Sequence, residues 1–312
     1  MNLDIAEISG TLAGLFLIIS VGFVTTKFKI TSFSAVPTLS NILIRVALPC
    51  SMFVSMIKPY DPSFLTDGLT IMLVATILIL IFIFLRILLV KILKIRQGNK
   101  GAWIMSSVFF NSGFIGFPIA YSLLGNSGLA LATFLNIPLM IATLGIGYYL
   151  IQKDALCKTG QKPNIWRIIF SESNILVSIG LVCYIKEWAV PKVIFEPVSF
   201  MANMTTPLAM IVVGITLGST KIGNVFKDKE IVSAIIARLI FFPAITFVFL
   251  KSFNFTNPMI PIVTMVLLAT PSPAGGAAMT AANGGNEVLA AKITFMTSLL
   301  SMITITFWTA LL

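Results

Sequence analysis

The chain has 312 residues, of which 57% are hydrophobic and only 10% are charged. A soluble domain would carry roughly a quarter charged residues, so this composition excludes a soluble domain and predicts an all-α integral membrane protein that crosses the bilayer many times. The net charge of +10 indicates basic loops between membrane spans rather than a nucleic-acid partner.

Apolar stretches follow one another along the whole chain, each close to the about 20 residues that a bilayer crossing needs. We predict ten transmembrane helices, at 8–26, 38–57, 68–90, 102–122, 128–151, 168–186, 197–218, 230–251, 258–281 and 287–311. The first residues, MNLDIAEIS, are acidic where a signal peptide would be basic. We therefore expect the first stretch to be retained as a span.

Basic residues are distributed unevenly between the two sets of loops. The even-numbered loops hold Lys58, Lys186, Lys192 and Lys251. The odd-numbered loops hold Lys27, Lys29, Lys91, Lys94, Arg96, Lys100, Lys153, Lys158, Lys162, Arg167, Lys221, Lys227, Lys229 and Lys292. Cytoplasmic loops carry the excess of lysine and arginine, so we expect the odd-numbered loops in the cytoplasm. Both termini would then lie on the outer side of the cell (inner) membrane.

The longest loop, 152–167, is predicted to be a cytoplasmic linker between two halves, 1–151 and 168–312. The halves resemble each other weakly at an offset near 160 residues. The matches are NSGFIG at 111–116 with PSPAGG at 271–276, GNSGLALA at 125–132 with GNEVLAAK at 285–292, and Pro49 with Pro207. Each half has five spans, an odd number, so the second copy would be inverted. An inverted five-plus-five repeat is typical of secondary transporters.

Two spans at matching positions of the halves contain helix-breaking residues. These are Asn111, Gly113, Gly116 and Pro118 in the fourth span and Pro271, Pro273, Gly275 and Gly276 in the ninth. Proline removes a backbone donor and clashes with the preceding turn, whereas glycine lets another backbone approach closely. Both residues also serve ordinary helix packing in membranes. Their occurrence at matching positions favours broken fourth and ninth helices that cross at mid-membrane.

A crossing of this kind would form a binding site. The N-termini of half-helices expose unpaired N–H groups with partial positive charge, which suits an anion. Side-chain donors and acceptors beside the freed backbone would come from Asn111, Ser112, Thr270 and Ser272. We therefore expect the substrate site here, with its backbone shaped by Gly113, Gly116, Pro118, Pro271, Gly275 and Gly276.

Three short motifs make the chain similar to a known family. The segment from Asn111 to Pro118 fits N-x-x-x-x-G-x-P, which resembles the fourth-span signature of the auxin efflux carrier family. The other two are Ala269-Thr270-Pro271 and Arg45-x-x-x-Pro49 with Ser51. The resemblance implies Asn111 as a substrate ligand, Pro118 and Pro271 as helix breakers, and the region around Ser51 as a secondary contact.

The same resemblance implies a scaffold built from spans 1, 2, 6 and 7, and a moving domain built from spans 3–5 and 8–10. The scaffold helices are the candidate surface for a homodimer. The chain lacks the long central cytoplasmic loop of the plant members, and its ninth span has two prolines and paired glycines. These departures indicate a bacterial-type permease, for which small organic acids such as malate or malonate are expected rather than auxin.

Charged residues inside the spans are candidates for function by default. Arg45 lies about two turns into the second span, where it could contact substrate or extend to the surface. Arg86 is expected to anchor its helix, and Arg238 to pair with a neighbour that the sequence does not name. Among acidic residues, Glu7 and Glu172 are the candidates for proton coupling, although Glu172 is also typical of a helix N-terminus. Sodium could instead bind freed carbonyls at the crossing.

The sequence therefore predicts a secondary transporter, an efflux permease for small organic anions that works by alternating access. A sodium-coupled organic-anion symporter of related crossover fold, or a solute channel or sensor, are the alternatives. A channel should show a continuous polar stripe across several spans, whereas the polarity here is concentrated at one depth. The chain has no histidine, and Cys50, Cys157 and Cys183 have no metal spacing. We expect no enzymatic activity, no cofactor, no metal site and no nucleic-acid partner. The expected partners are a small organic anion, the lipid bilayer and a second copy of the chain.

Overall fold

The computed structural model describes residues 5–57, 61–155, 172–219 and 228–311. These residues form helices joined by short turns, and no strand occurs among them. Numbered in chain order, the helices are α1 (Ile5–Lys27), α2 (Ala35–Ile42), α3 (Leu48–Met56), α4 (Pro62–Ile92), α5 (Lys100–Val108), α6 (Phe117–Ala142), α7 (Tyr148–Asp154), α8 (Glu172–Ile185), α9 (Lys192–Asn203), α10 (Thr205–Ser219), α11 (Lys229–Ile236), α12 (Phe242–Lys251), α13 (Met259–Leu268), α14 (Gly276–Ala282) and α15 (Glu287–Ala310).

Most of the predicted linker 152–167 lies outside the described residues, as do the start of the predicted sixth span and the loop residues 220–227. The side chain of Glu7 and the whole of Cys157 are outside them as well. What the sequence predicts for these positions therefore stays a prediction.

Within the described residues, six helical stretches are long and apolar enough to cross a membrane. They are Ala35–Met56, Ser63–Ile92, Lys100–Asp154, Lys192–Ser219, Lys229–Lys251 and Glu287–Ala310. Three shorter apolar helices are Ala13–Lys27, Asn174–Ile185 and Met259–Leu268. Large apolar side chains such as Phe84, Val193 and Ile303 are exposed, as expected of surfaces that face lipid. The all-helical class is confirmed, whereas the inverted repeat of ten spans is not and stays a prediction.

The stretch Lys100–Asp154 is too long for one crossing. Its 55 residues would extend about 80 Å at a rise of 1.5 Å per residue, against a hydrocarbon core of about 30 Å. Two interruptions divide it. One follows Val108, and the other is at Gly125, whose φ of 60° and ψ of −152° are accessible to glycine and strained for other residues. Gly125 lies where the sequence predicts the loop between the fourth and fifth spans.

The described residues contain four π-helical turns between the numbered helices, a feature that the sequence did not predict. The turns are Leu43–Ala47, Ser112–Gly116, Thr143–Gly147 and Ala237–Phe241. Three of them are followed two residues later by a proline, namely Pro49, Pro118 and Pro243. Pro243 has no N–H to offer the carbonyl of Leu239 one turn back. The indole Nε1 of Trp308 donates to that carbonyl instead, at 2.9 Å.

The chain divides into two compact units. The first contains Met1–Thr70, Gly113–Phe134 and Trp166–Thr220, and the second contains Ile71–Ser112, Leu135–Ile165 and Lys221–Leu312. Each unit therefore draws on both predicted halves of the sequence. The first unit holds the spans expected for the scaffold, together with residues 113–134, which the resemblance assigned to the moving domain.

In the first unit, α1 and α10 pack at the distance that glycine allows. A Cβ atom added to Gly22 would lie 2.4 Å from the carbonyl oxygen of Ile211, and one added to Gly214 would lie 2.1 Å from that of Ile19. Neither position can accept a side chain unless a backbone moves. Close approach at small residues is the usual way in which membrane helices gain contact area.

In the second unit, a polar cluster joins the N-terminal ends of three helices. The carboxylate of Glu230 accepts hydrogen bonds from the backbone N and the Nε of Arg96 at 2.8 and 3.0 Å, and from Asn99 at 2.5 Å. Asn99 in turn accepts one from Asn286, the N-cap of α15. The hydrogen bonds that Arg96 donates to Glu230 raise the pKa of the Arg96 guanidinium above its ordinary value. The cluster fixes where α5, α11 and α15 begin.

Candidate functional site

The first predicted break lies between α5 and α6. Helix α5 ends at Val108, and Phe109 is extended with φ −85° and ψ 157°. Helical geometry resumes with the π-helical turn Ser112–Gly116, so residues 109–111 are the non-helical ones. Pro118, the expected breaker, lies in the first turn of α6, directly after that π-helical turn.

The second break lies between α13 and α14. Helix α13 ends at Leu268, and α14 begins at Gly276. The non-helical segment 269–275 contains both Pro271 and Pro273, which cannot donate to a helical ladder. The segment is longer than the first break because two prolines two residues apart each remove a hydrogen bond.

The two breaks are hydrogen-bonded to each other. The backbone N of Asn111 donates to the carbonyl of Pro271 at 2.9 Å, and the Oγ of Ser272 donates to the carbonyl of Ser106 near the end of α5. Groups that each helix leaves unpaired are thus satisfied by the other segment. All four residues are buried, and Asn111 is only 4% exposed.

The remaining predicted polar residues of the second unit are held within the same region. The Oγ of Ser112 donates to Asn136 at 2.6 Å, and the Oγ1 of Thr297 bonds to the Oγ of Ser272 at 2.9 Å. Thr270 donates to the carbonyl of Leu267 at 2.6 Å and so caps its own helix. Ser112 and Ser272 therefore form hydrogen bonds to other segments of the chain, whereas Thr270 bonds to the end of α13.

The expectation that glycines permit close backbone approach is wrong at three positions. A Cβ atom on Gly275 would meet nothing within 4 Å, and one on Gly113 would lie 3.6 Å from the side chain of Leu48. At Gly276 the nearest atoms, among them the Oγ1 of Thr294, would be 3.9 Å away. There is room for a side chain at each, so these glycines leave space instead of allowing tight contact.

Arg45 and Ser51 lie in the first unit, as do Gly113, Gly116 and Pro118. The Arg45 side chain is 59% exposed and its Nη1 lies 3.5 Å from the Oε1 of Glu172. Glu172 is also the first residue of α8, the place that the dipole of a helix favours for a carboxylate. Ser51 is buried in α3. Substrate contacts of Arg45 and Ser51 stay predictions.

Sequence reasoning gave Arg238 no partner, and the structure places it between the two breaks. It is 0% exposed. Its Nη1 donates to the carbonyl of Val108 at 3.1 Å, its Nη2 donates to the carbonyl of Leu268, and its guanidinium carbon lies 5.7 Å from the ring centroid of Phe110. Val108 and Leu268 are the last residues of α5 and α13. The only signal in the sequence was an arginine inside an apolar span.

Several hydroxyl groups near the breaks have no hydrogen-bond partner within the described part of the chain. They are the Oγ atoms of Ser106 and Ser107 and the Oγ1 of Thr294. All three residues are at most 9% exposed. A buried polar group without a partner costs about 1–3 kcal/mol, which makes these hydroxyls candidates for contact with a polar ligand.

The opposite end of α5 is held by a carboxylate. Asp154, at the end of α7, accepts hydrogen bonds from the backbone N of Gly98 at 3.1 Å and of Gly101 at 2.8 Å. A negative charge at the N-terminus of a helix and a positive charge at its C-terminus both interact favourably with the helix dipole. Asp154 and Arg238 thus stabilise α5 from its two ends.

Comparison with known proteins shows a transport family. A family model described as "Membrane transport protein" matches residues 7–156 and 148–309. An uncharacterized transporter of Methanocaldococcus jannaschii is 28% identical over an alignment of 209 residues. The alignment covers 64% of this chain and 66%, just under two thirds, of that relative. An uncharacterized transporter of Methanothermobacter thermautotrophicus is 22% identical over an alignment of 309 residues that covers 97% of each chain.

Proposed function

Because the chain belongs to the auxin efflux carrier family of membrane transport proteins, we propose that it is a secondary transporter that exports small organic anions, carboxylates in particular. The observation that carries the proposal is the hydrogen bond between the two broken segments, from Asn111 to Pro271. Broken helices that meet in this way are where secondary transporters bind their substrates.

The membrane arrangement proposed with this function is the inverted five-plus-five repeat, with both termini outside the cell membrane. Helix lengths support it, because the stretch Lys100–Asp154 is long enough for two crossings and is interrupted at Gly125. Counted as two, it brings the six long stretches to seven, and the three shorter apolar helices bring them to ten. Alternating access would be a movement of the domain built from spans 3–5 and 8–10, which carry both breaks.

The charges near the breaks support an anion as the substrate. In the described residues, the ion pairs involve Arg45 and Arg96, and none involves Arg238. The region of the breaks therefore contains a buried positive charge without a carboxylate. An organic cation entering it would find no carboxylate paired with Arg238 to bind, whereas a carboxylate substrate would find hydrogen-bond donors. The hydroxyls of Ser106, Ser107 and Thr294 offer donors for its oxygens.

A thermal-shift screen of the purified protein tests the proposal. Malonate, malate and short monocarboxylates are the first probes, and choline is the control for size and ionic strength. A true ligand stabilises the folded protein by about 2.7 kcal/mol at a hundredfold excess over its dissociation constant. Stabilisation by carboxylates and not by choline is expected. Equal stabilisation by both would remove the anion assignment.

A further inference from the structure

We propose that Arg238 is a built-in cation that occupies the place where a coupling metal ion would bind, and that transport by this protein therefore requires no sodium. The inference goes beyond the proposed function, which leaves the coupling ion open. The inference is about the last backbone carbonyls of the two broken helices, α5 and α13. The proposed substrate site is formed instead by polar side chains near the breaks.

The last carbonyls of any helix have no partner within that helix, and they carry a partial charge of about −0.5 at its C-terminus. In this protein α5 and α13 end close to a single guanidinium group, since Arg238 donates to both Val108 and Leu268. Two such ends together present about one negative charge. A single buried cation balances this charge, and the guanidinium group of Arg238 is that cation.

Transporters with broken helices use the same kind of place for their coupling ions. Unwound backbone carbonyls and the C-terminal ends of half-helices are where sodium is coordinated. Here those carbonyls are already bound to the planar fork of an arginine, whose N–H groups point in fixed directions and which stays protonated. A sodium ion at Val108 and Leu268 would have to displace a fixed positive charge.

The surroundings of Arg238 fit this role better than the other roles of membrane arginines. A fully buried side chain cannot extend to the membrane surface, and Arg238 is 0% exposed. Substrate binding alone would not require both of its arms to bond to backbone carbonyls. The face of Phe110 adds a cation–π contact at 5.7 Å, and Phe110 itself lies in the first break.

The wild-type protein gives the first test. Its melting temperature is measured in sodium chloride, potassium chloride and choline chloride at equal ionic strength, and binding of ²²Na⁺ is measured in a scintillation proximity assay. We expect equal melting temperatures and no saturable ²²Na⁺ binding. Stabilisation specific to sodium, or saturable ²²Na⁺ binding, would overturn the proposal. Neither measurement needs a substrate, so a failed carboxylate screen would leave this result untouched.

The variant Arg238→Ala gives the second test. It should melt several degrees lower than wild type, because two helix ends lose their cation. Millimolar guanidinium chloride should restore most of that loss, and sodium should now stabilise the variant more than choline does. Arg86→Ala is the matched control, since Arg86 lies within α4 and is predicted only to anchor it. An Arg238→Ala protein as stable as wild type, or one that no small cation restores, contradicts the proposal.

Arg238→Lys keeps the inference testable if the alanine variant does not fold. Lysine retains the charge on one compact ammonium group and loses the planar fork. It should melt between wild type and alanine, with the same melting temperature in sodium and in choline. A role confined to filling space would predict no dependence on the type of cation in any variant. Sodium dependence of Arg238→Lys would show that the charge at 238 does not exclude the ion.

Discussion

The backbone N of Asn111 donates a hydrogen bond of 2.9 Å to the carbonyl oxygen of Pro271. This bond joins the first broken segment to the second without using either side chain. Any residue other than proline at position 111 can therefore keep it. Substitutions of Asn111 should report on the amide side chain, while the contact between the segments persists.

If the Asn111 side chain binds the substrate, Asn111→Ala should weaken binding about ten- to a hundredfold. This corresponds to the loss of one hydrogen bond to a charged group, roughly 1.5–3 kcal/mol. Asn111→Asp should be worse, because it places a negative charge beside an anion in a region of low dielectric constant. The measurement is the dissociation constant of the best carboxylate from the thermal-shift screen.

The melting temperature without substrate is the control for Asn111. A ligand role predicts little change in either variant. If the side chain instead caps the helix that follows, aspartate should be tolerated as a good cap and alanine should lower the melting temperature. Affinity close to wild type in Asn111→Asp would therefore refute the ligand assignment.

Trp308→Phe should destabilise the protein by about 1–3 kcal/mol, because the carbonyl of Leu239 loses its donor and stays buried. The measurement is the melting temperature or the midpoint of denaturation in detergent. Trp188→Phe is the matched control, since Trp188 is 63% exposed and its replacement should cost little.

The cause of this cost can be isolated with Pro243→Ala, which restores an N–H one turn after Leu239. The cost of Trp308→Phe should be smaller in the Pro243→Ala background, which a double-mutant cycle measures. Equal costs in the two backgrounds would mean that packing, and not the hydrogen bond, is what Trp308 contributes.

Glu230→Gln should lower the melting temperature although it preserves shape. The carboxylate accepts from Arg96 and Asn99 through both oxygens, and an amide presents only one acceptor. Leaving charged or amide donors unpaired costs about 1–3 kcal/mol. Asp228→Asn is the control, because asparagine is as good an N-cap as aspartate and Asp228 lies 3.9 Å from Arg96. A larger loss in the control would assign the stabilisation to the negative charge of Asp228 beside Arg96, since the asparagine keeps the cap of α11.

The proposed topology is tested by labelling introduced cysteines in a background without Cys50, Cys157 and Cys183. Lys94→Cys should react with an impermeant maleimide only from the cytoplasmic side, and Lys192→Cys only from outside. The positive-inside rule places these two loops on opposite faces. Labelling of both from one face would contradict the ten-span arrangement and the inverted repeat together.

The second break was predictable from sequence because its cause is local, since Pro271 and Pro273 lie inside the non-helical segment 269–275. The first break was predictable only in its approximate place, because residues 109–111 contain neither proline nor glycine and the expected breakers Gly113, Gly116 and Pro118 lie in the helical geometry that follows. The meaning of the glycines was not predictable in the same way. Gly275 could have allowed a close contact or left an open space, and only the packing around it decides between the two.

The partners of Arg238 could not be predicted, because they are backbone carbonyls. Val108 and Leu268 carry apolar side chains, and any residue could supply the same oxygen. What makes these two carbonyls special is that helices end there, 130 and 30 residues away from the arginine. The π-helical turns escaped prediction for a related reason, since a single additional residue in a turn leaves the apolar pattern of a span almost unchanged.

Helix α5 has consequences for how the protein is made. It has only nine residues, well below the about 12–15 that an isolated helix needs, and its two ends are held by Asp154 and Arg238. The arginine is synthesised 130 residues after Val108, a delay of roughly 6–26 s at about 5–20 residues per second on the ribosome. Throughout that time the first half of the nascent chain lacks the group that completes α5. We therefore expect the first half, expressed alone, to be recognised by quality-control proteases until the second half is supplied, even as a separate polypeptide.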